Sequence, residues 1–216
     1  MKKGNKNKTK PDFMDKVELE NIKSIWFDFG RVLLPLDLDK TKEGFIELGA
    51  NTSLEKDIEH FETWERGEIS QHEFYQGVKR HVKEFASVPS IRSAWNAMLL
   101  DLPYENFNFV KRLKNKYQLF LVSNTNSVHI EAIKQNMGIF RYRQFVNLFD
   151  EVFYSYEMGA RKPEPKFFKI ALKQSGFKPE ECLLIDDNEG NITQAKIMGF
   201  KTWLFDPEKE VLEFDK

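Results

Sequence analysis

Short apolar runs alternate with helical patterns along the chain, and this alternation limits the possible folds more than any other feature. Five runs have the length and composition of buried strands: residues 22–29, 118–122, 151–154, 182–185 and 201–205. Between the later runs lie helical patterns that each end at a glycine, a common helix stop: residues 127–137, 163–175 and 191–198. Because parallel strands need crossover connections, the alternation predicts a parallel sheet with helices on both faces.

A stretch of residues 37–102 interrupts this rhythm because it contains no convincing strand pattern. Two capping-box patterns mark helix starts there, Thr52 with Glu55 and Ser70 with Glu73. Apolar faces come mostly from aromatic residues: Phe61, Trp64, Phe74, Tyr75, Val78, Val82, Phe85 and Trp95. We predict a helical insert over the carboxyl edge of the sheet, where it would exclude water from a site. A purely structural helical subdomain is the alternative.

Composition limits the classes of partner. The 216 residues include 33 basic and 34 acidic side chains, so a net charge of -1 provides no general attraction for nucleic acid or an anionic membrane. Residues 1–20 are polar and lysine-rich, which predicts a disordered tail, with a nucleic-acid-binding arm as the alternative. The single cysteine, Cys182, lies in an apolar run and is predicted to be a buried packing residue. With no secretory signal or membrane-length apolar run, we expect a cytoplasmic protein with a small-molecule partner.

Reactive polar residues follow three of the predicted strands. Asp28 ends the first apolar run, Ser123 and Asn124 follow the second, and Asp186 and Asp187 follow the fourth. The carboxyl ends of parallel strands meet at one edge of the sheet, where open α/β folds bind their ligands. We therefore expect these side chains to converge there on a phosphate and metal site.

The chemistry of these residues supports such a site. The charge of Asp28 among apolar neighbours is costly unless a cation compensates it, and Lys162 together with a metal on Asp186 would do so. The adjacent carboxylates of Asp186 and Asp187 favour a shared divalent ion, Mg²⁺ in particular, although surface charge is the alternative. Ser123, before a predicted helix, belongs either to an anion site or to an ordinary helix cap.

Taken together, the motifs resemble those of the haloacid dehalogenase superfamily. The resemblance rests on their order and spacing, and the matching residues are Asp28, Ser123, Lys162 within residues 159–165, and Asp186-Asp187 followed by Asn191, Ala195 and Gly199. It implies a Rossmann-like three-layer α/β core with a parallel sheet, formed by residues 21–36 and 103–216. Residues 37–102 would form a small all-helical cap, similar to that of sugar-phosphate phosphatases and the amino-terminal domain of soluble epoxide hydrolase.

The resemblance also implies a phosphatase mechanism for a small phosphorylated metabolite, with sugar phosphates as one class. Asp28 would attack phosphorus to form an aspartyl-phosphate, which water then hydrolyses. Mg²⁺ would bind the carboxylates of Asp28 and Asp186 and the carbonyl of Gly30, with Asp187 in its first or second coordination shell. The oxygens of the transferring phosphoryl group would be held by Ser123, the backbone at Asn124, and Lys162.

Two residues depart from the family pattern. Gly30 replaces the aspartate that usually acts as general acid and base in these phosphatases, a loss that typically reduces the rate by about 10²–10⁴. Arg31 replaces a small residue. Two alternatives to an active phosphatase therefore stay open: a catalytically impaired phosphate-binding or regulatory protein, and a haloacid dehalogenase, whose halide leaving group needs no proton. The oligomeric state is also left open.

Overall fold

A computed structural model describes residues 21–50 and 57–214. The predicted tail of residues 1–20 and the predicted cap at Thr52 lie outside these ranges. Within them, one parallel sheet has the strand order β3-β2-β1-β4-β5, with β1 (Ser24–Phe27), β2 (Gln118–Ser123), β3 (Glu151–Tyr154), β4 (Cys182–Asp186) and β5 (Lys201–Leu204). The predicted parallel α/β sheet is confirmed, although β1 is shorter than the predicted run of residues 22–29.

Helices connect these strands. Those before β2 are α1 (Leu38–Glu47), α2 (Ile58–Glu65), α3 (Gln71–Lys79), α4 (Val88–Asn96) and α5 (Tyr104–Leu113). Those after it are α6 (Ser127–Met137), α7 (Ile139–Val146), α8 (Ser155–Met158), α9 (Pro165–Ser175) and α10 (Glu189–Ile197). The described part of the chain holds no helix long and apolar enough to cross a membrane.

Helix boundaries differ from the predicted ones where a local cap decides. Helix α10 begins at Glu189 rather than at Asn191, because the side chain of Asn188 accepts hydrogen bonds from two backbone N–H groups of the first turn. Helix α9 begins at Pro165 instead of residue 163. Helices α5, α7 and α8 were not predicted, since their polar and apolar residues gave no clear start and stop signals.

Alternating residues of β1 face opposite sides of the sheet, and each side is packed by helices. Ile25 and Phe27 belong to one buried cluster, whereas Trp26 belongs to another, in which its ring lies 5.1 Å from that of Phe120. Cys182 is fully buried in the second cluster, as predicted for a packing residue. The sheet therefore lies between two helical layers, which confirms the three-layer core.

Helices α1 to α4 share an aromatic core of their own. The rings of Trp64 and Phe74 stack with centroids 4.9 Å apart, and the Phe74 and Trp95 rings lie 5.0 Å apart. The predicted capping box of Ser70 and Glu73 is present at the start of α3. These contacts show packed helices between β1 and β2, while the division of the chain into a core and a cap at residues 37 and 102 stays a prediction.

Candidate active site

Asp28 and Asp186 lie beside each other at the carboxyl edge of the sheet because β1 and β4 are parallel neighbours. Phe27 is in register with Ile185, and the backbone N–H of Asp28 donates to the carbonyl of Ile185 at 2.9 Å. Asp28 is the first residue after β1, and Asp186 is the last residue of β4. The strand register thus brings two carboxylates together from distant parts of the chain.

Lys162 joins these two carboxylates. Its Nζ donates to Asp28 Oδ1 at 2.8 Å and to Asp186 Oδ2 at 2.6 Å. Its side chain is only 1% exposed. Burial opposes the charged ammonium, but the two carboxylates outweigh burial and raise the pKa of Lys162 above its usual value. A charged ammonium therefore offsets the repulsion between the two aspartates.

The Asp28 carboxylate lies in a strongly desolvated position. Burial raises the pKa of Asp28 to about 7, and the negative charges of Asp186 and Asp187 add to this, while Lys162 opposes it. Without a metal ion, the Asp28 carboxylate therefore takes up a proton more readily than an ordinary aspartate does. A divalent cation beside it would favour the ionised form, which is the form that acts as a nucleophile.

Asp186 is held from several directions. It is fully buried, and its Oδ1 accepts hydrogen bonds from the backbone N–H of Asn188 and the side-chain amide of Asn191, both at 2.9 Å. Asn191 lies in the first turn of α10, which begins just after β4. These hydrogen bonds orient the Asp186 carboxylate and replace the hydrogen bonds to water that it lacks in its buried position. The Asn191 contact was not predicted from the sequence, where the residue was matched only to the trailing helix.

Asp187 forms an ion pair with Arg31, one of the two residues that depart from the family pattern. Arg31 Nε donates to Asp187 Oδ2 at 2.6 Å, across 156 positions of the chain. The backbone of Arg31 has a φ of 61°, in the left-handed region that residues other than glycine rarely adopt. Burial raises the pKa of Asp187, and Arg31 opposes this shift. The sequence marks Arg31 as a departure from the family pattern but does not show which residue it pairs with.

Asn124 contacts Lys162, but neither Ser123 nor Asn124 lies at a helix entrance as the sequence suggested. Ser123 is the buried last residue of β2, and α6 begins only at Ser127, after Asn126 caps it. The side chain of Asn124 donates to the carbonyl of Lys162 at 2.7 Å and accepts from its backbone N–H at 2.8 Å. Asn124 therefore holds the main chain of Lys162 through a two-way contact.

The residues present fit a hard divalent cation. One carboxylate oxygen from each of Asp28, Asp186 and Asp187 lies within 4.8 Å of the other two. Three carboxylates face the two cationic side chains of Lys162 and Arg31, so in their ionised forms they leave one negative charge unbalanced. A cluster of oxygen ligands with excess negative charge suits Mg²⁺.

Gly30 lies in a tight turn that leaves little space for a side chain. The N–H groups of Leu33 and Leu34 both donate to the carbonyl of Phe29, at 3.0 and 2.8 Å. A Cβ built on Gly30 would lie 3.0 Å from a methyl carbon of Leu36. Any acid placed at this position would therefore require Leu36 to shift.

Comparisons with known proteins agree with this geometry. A family model for haloacid dehalogenase-like hydrolases matches residues 22–199. The chain is 30% identical over 192 residues to a D-ribitol-5-phosphate phosphatase from Bacteroides thetaiotaomicron, covering 87% of this chain and 92% of that protein. A HAD-family enzyme from the same organism, solved with magnesium and inorganic phosphate, superposes with a TM-score of 0.76 at 32% identity, covering 84% of this chain and 93% of that one.

A more distant structure shares the fold alone. The L-2-haloacid dehalogenase from Xanthobacter autotrophicus, solved with chloropropionic acid covalently bound, is 17% identical and superposes with a TM-score of 0.57 over 84% of this chain and 76% of that one. Both the family match and the 30% identical relative extend over most of the chain, and the family match, over residues 22–199, includes every motif at the sheet edge. The chain therefore belongs to the haloacid dehalogenase-like hydrolase family.

Proposed function

We propose that this protein hydrolyses phosphate monoesters of small metabolites, with sugar and sugar-alcohol phosphates as the first class to test. The observation that carries the proposal is the buried Lys162 ammonium between the Asp28 and Asp186 carboxylates. This arrangement supports the proposed roles of Asp28 as nucleophile, Lys162 as the cation for phosphate oxygens and Asp186 as a metal ligand, because Lys162 contacts both carboxylates. The relative named D-ribitol-5-phosphate phosphatase supports the substrate class.

In the proposed reaction, Asp28 is the nucleophile. One carboxylate oxygen attacks phosphorus, the bond from phosphorus to the ester oxygen breaks, an aspartyl-phosphate forms, and the leaving oxygen takes a proton from solvent to give the alcohol. Water then attacks the same phosphorus and gives up a proton to solvent, the bond from phosphorus to the Asp28 oxygen breaks, and inorganic phosphate and the free carboxylate are released. The Lys162 ammonium and the hydroxyl of Ser123 would hold the transferring oxygens. The paired contacts from the Asn124 side chain would keep Lys162 in place during both steps.

Asp28, Asp186 and the carbonyl of Gly30 are the proposed Mg²⁺ ligands. When bound, Mg²⁺ would offset the repulsion between the carboxylate nucleophile and the anionic phosphate. Asp187 is already held by Arg31 Nε through one carboxylate oxygen, at 2.6 Å. Because this oxygen is already paired with Arg31, we propose that Asp187 lies in the second coordination shell, where it would not bind the metal directly.

Gly30 favours one other candidate function. Because it has no side chain to protonate the leaving oxygen, the site could bind phosphate and Mg²⁺ with little turnover, as a regulatory protein would. The two functions differ in their response to the leaving group, since an activated ester reacts without a general acid. A protein that only binds phosphate would leave even an activated ester intact.

The test is steady-state hydrolysis of p-nitrophenyl phosphate with and without Mg²⁺, by the natural protein and by Asp28→Asn. We expect Mg²⁺-dependent turnover that is lost in Asp28→Asn, while an exposed control, Asp39→Asn, keeps it. A panel of sugar and sugar-alcohol phosphates would then identify the substrate by its kcat/KM. Phosphate binding without turnover of any ester would refute the enzymatic proposal and support the regulatory one.

Other features of the chain remain part of this proposal. We assign residues 37–102 to a cap and residues 21–36 and 103–216 to a core, which would place the site beneath α1 to α4. We also propose a cytoplasmic location and a small phosphorylated metabolite as the partner, with no nucleic acid or membrane surface as a ligand. The net charge of -1 supports the last point.

A further inference from the structure

Five charged side chains join helix α2 to the loop that carries Lys162. Arg161 donates from Nε to Glu65 at 2.8 Å and from Nη1 to Glu62 at 2.9 Å. Arg66 donates from Nε to Glu164 at 2.6 Å and from Nη2 to Glu62 at 3.0 Å. Each residue is partly buried, with 20 to 34% of its side chain exposed, so solvent screens these contacts less than it screens fully exposed pairs. We call these five residues the Arg161 cluster.

The backbone beside the Arg161 cluster also approaches the sheet edge closely. Gly67, just after α2, has a φ of 68°, and a Cβ built on it would lie 2.2 Å from the carbonyl oxygen of Tyr156. A side chain is therefore excluded at this position in this arrangement. The turn after α2 rests on α8, which directly follows β3. The ion pairs thus place the end of α2 against the Lys162 loop, and the steric observation places the turn after α2 against α8, the helix that precedes this loop.

The loop itself is held from two sides. On the sheet side, the side chain of Asn124 binds both backbone polar groups of Lys162. On the α2 side, the neighbouring Arg161 binds Glu62 and Glu65, and the backbone of Glu164 donates to the carbonyl of Arg161 at 2.8 Å. Lys162 therefore lies between a contact with Asn124, the first residue after β2, and a contact of its neighbour Arg161 with the helical segment.

We propose that Arg161 and Arg66 are positioning residues, which place the Lys162 ammonium by fastening its loop to α2. This inference rests on the proposed function, because it assigns the cluster a part in phosphoryl transfer. It predicts that α2 and the Lys162 loop move as a unit, so that the site is complete only while α2 is docked. A displacement of about 1 Å in a catalytic group can reduce a rate by about 10².

The test is a double-mutant cycle across the contact between Arg66 and Glu164. Arg66→Gln and Glu164→Gln are each expected to lower kcat for p-nitrophenyl phosphate by about tenfold, with a smaller change in KM, and the double variant is expected to lose no more than either single one. The second readout is amide hydrogen exchange in residues 159–165, which we expect to accelerate about tenfold in the same variants. Arg161→Lys should recover part of the loss seen in Arg161→Gln, since it keeps the charge but not the two-nitrogen contact.

A second ion pair supplies a matched control. Arg92 on α4 donates to Glu131 on α6 at 2.7 Å, so it also joins the helical segment to the α/β layer, but it lies on other elements than the Lys162 loop. Arg92→Gln and Glu131→Gln should leave kcat and exchange in residues 159–165 unchanged. Equal effects from both pairs would overturn the positioning role and indicate general destabilisation.

The remaining outcomes separate this inference from the proposed function. Faster exchange without a change in kcat would show a structural contact only and would overturn the positioning role. If the natural protein turns over no ester, the phosphatase proposal fails, and binding of inorganic phosphate replaces kcat as the readout. Arg66→Gln should then weaken phosphate binding about tenfold, and unchanged binding would overturn the inference. Circular dichroism of each variant checks that it is folded.

Discussion

The carboxyl edge of the sheet and the aromatic core of α1 to α4 are stabilised in different ways. At the sheet edge, Lys162 and Asp186 are almost completely buried, and each charge has an oppositely charged partner. The aromatic core is instead stabilised by contacts between rings. Among the described residues, the indole nitrogens of Trp64 and Trp95 and the side-chain oxygen of Asn96 are buried without a hydrogen-bond partner.

This difference shows how each region can change. Buried charges depend on one another, so removing one leaves its partner uncompensated and strongly destabilised. Ring packing is spread over many weak contacts, so removing one ring removes only part of them. We therefore expect the removal of one side chain to cost more stability at the sheet edge than in the aromatic core.

Removal of the Lys162 ammonium should have the largest effect. Lys162→Met leaves Asp28 and Asp186 facing each other without a cation, so we expect the free energy of unfolding in urea to fall by about 3–5 kcal/mol. Mg²⁺ should restore part of this stability. The exposed control Lys166→Met, whose ammonium contacts only the carbonyl of Gly159 among the described contacts, should change little. Similar urea curves for the two variants would contradict the difference drawn between the two regions.

A cavity in the aromatic core should be the next largest change. Phe74 is fully buried, and Phe74→Ala should lower the free energy of unfolding by about 3 kcal/mol. Phe85 in the same part of the chain is 82% exposed, so Phe85→Ala should change it by less than about 0.5 kcal/mol. Denaturant unfolding of both variants is the measurement. A small loss in Phe74→Ala would mean that these helices collapse around the cavity more fully than ring packing suggests.

Acid should destabilise the contact between the aromatic core and α6. His129 stacks on Trp95 at 4.9 Å, and burial lowers the pKa of His129 from 6.5 to about 4. Because the unfolded chain takes up the proton first, this contribution is complete above about pH 6.5 and is lost as the pH falls toward 4. The loss between pH 7 and pH 5 is about 2 kcal/mol.

The variant His129→Gln should lack this acid-sensitive contribution, so its stability should change less between pH 7 and pH 5. The exposed His72 supplies the control, since His72→Gln should retain the pH dependence of the natural protein. Urea unfolding at both pH values is the measurement. Parallel pH curves for His129→Gln and the natural protein would assign the acid sensitivity to other groups.

Installing the missing acid should produce the smallest change in free energy. Gly30→Asp adds a group that can protonate the leaving oxygen, so we expect kcat for an alkyl phosphate to rise about tenfold. The gain for p-nitrophenyl phosphate should be smaller because its leaving group needs less help. We expect this rise in kcat to be smaller than the full effect of a general acid, because Leu36 must move to make room for the new side chain.

Gly30→Asn is the matched control, since it has nearly the same shape but no acidic proton. Equal rates for Gly30→Asp and Gly30→Asn would exclude acid catalysis as the cause of any gain. A fall in both rates would show that the packing of Gly30 against Leu36 matters more than the proton. Steady-state kinetics on the two esters decide between these outcomes.

The parts that sequence reasoning could predict were those determined by local patterns. Strand β4 was predicted from its apolar run, and the capping box of Ser70 and Glu73 from residue types at a short spacing. The pair of Arg31 with Asp187 was not predictable in this way, because it depends on which strands become neighbours. The same limit applies to Asn124, whose side chain contacts a loop 38 positions away.

The sequence was enough to predict the parallel α/β order, the polar residues near the ends of the strands and the family to which the chain belongs. They can be predicted because periodicity and motifs are recognised in the sequence itself, without knowledge of the fold. The fold was needed to show that the Lys162 ammonium, predicted to compensate Asp28, also donates directly to Asp186, and that the Arg161 cluster joins α2 to the Lys162 loop. Charge pairing acts at distances of about 3 Å in space, whereas the sequence records only separation along the chain.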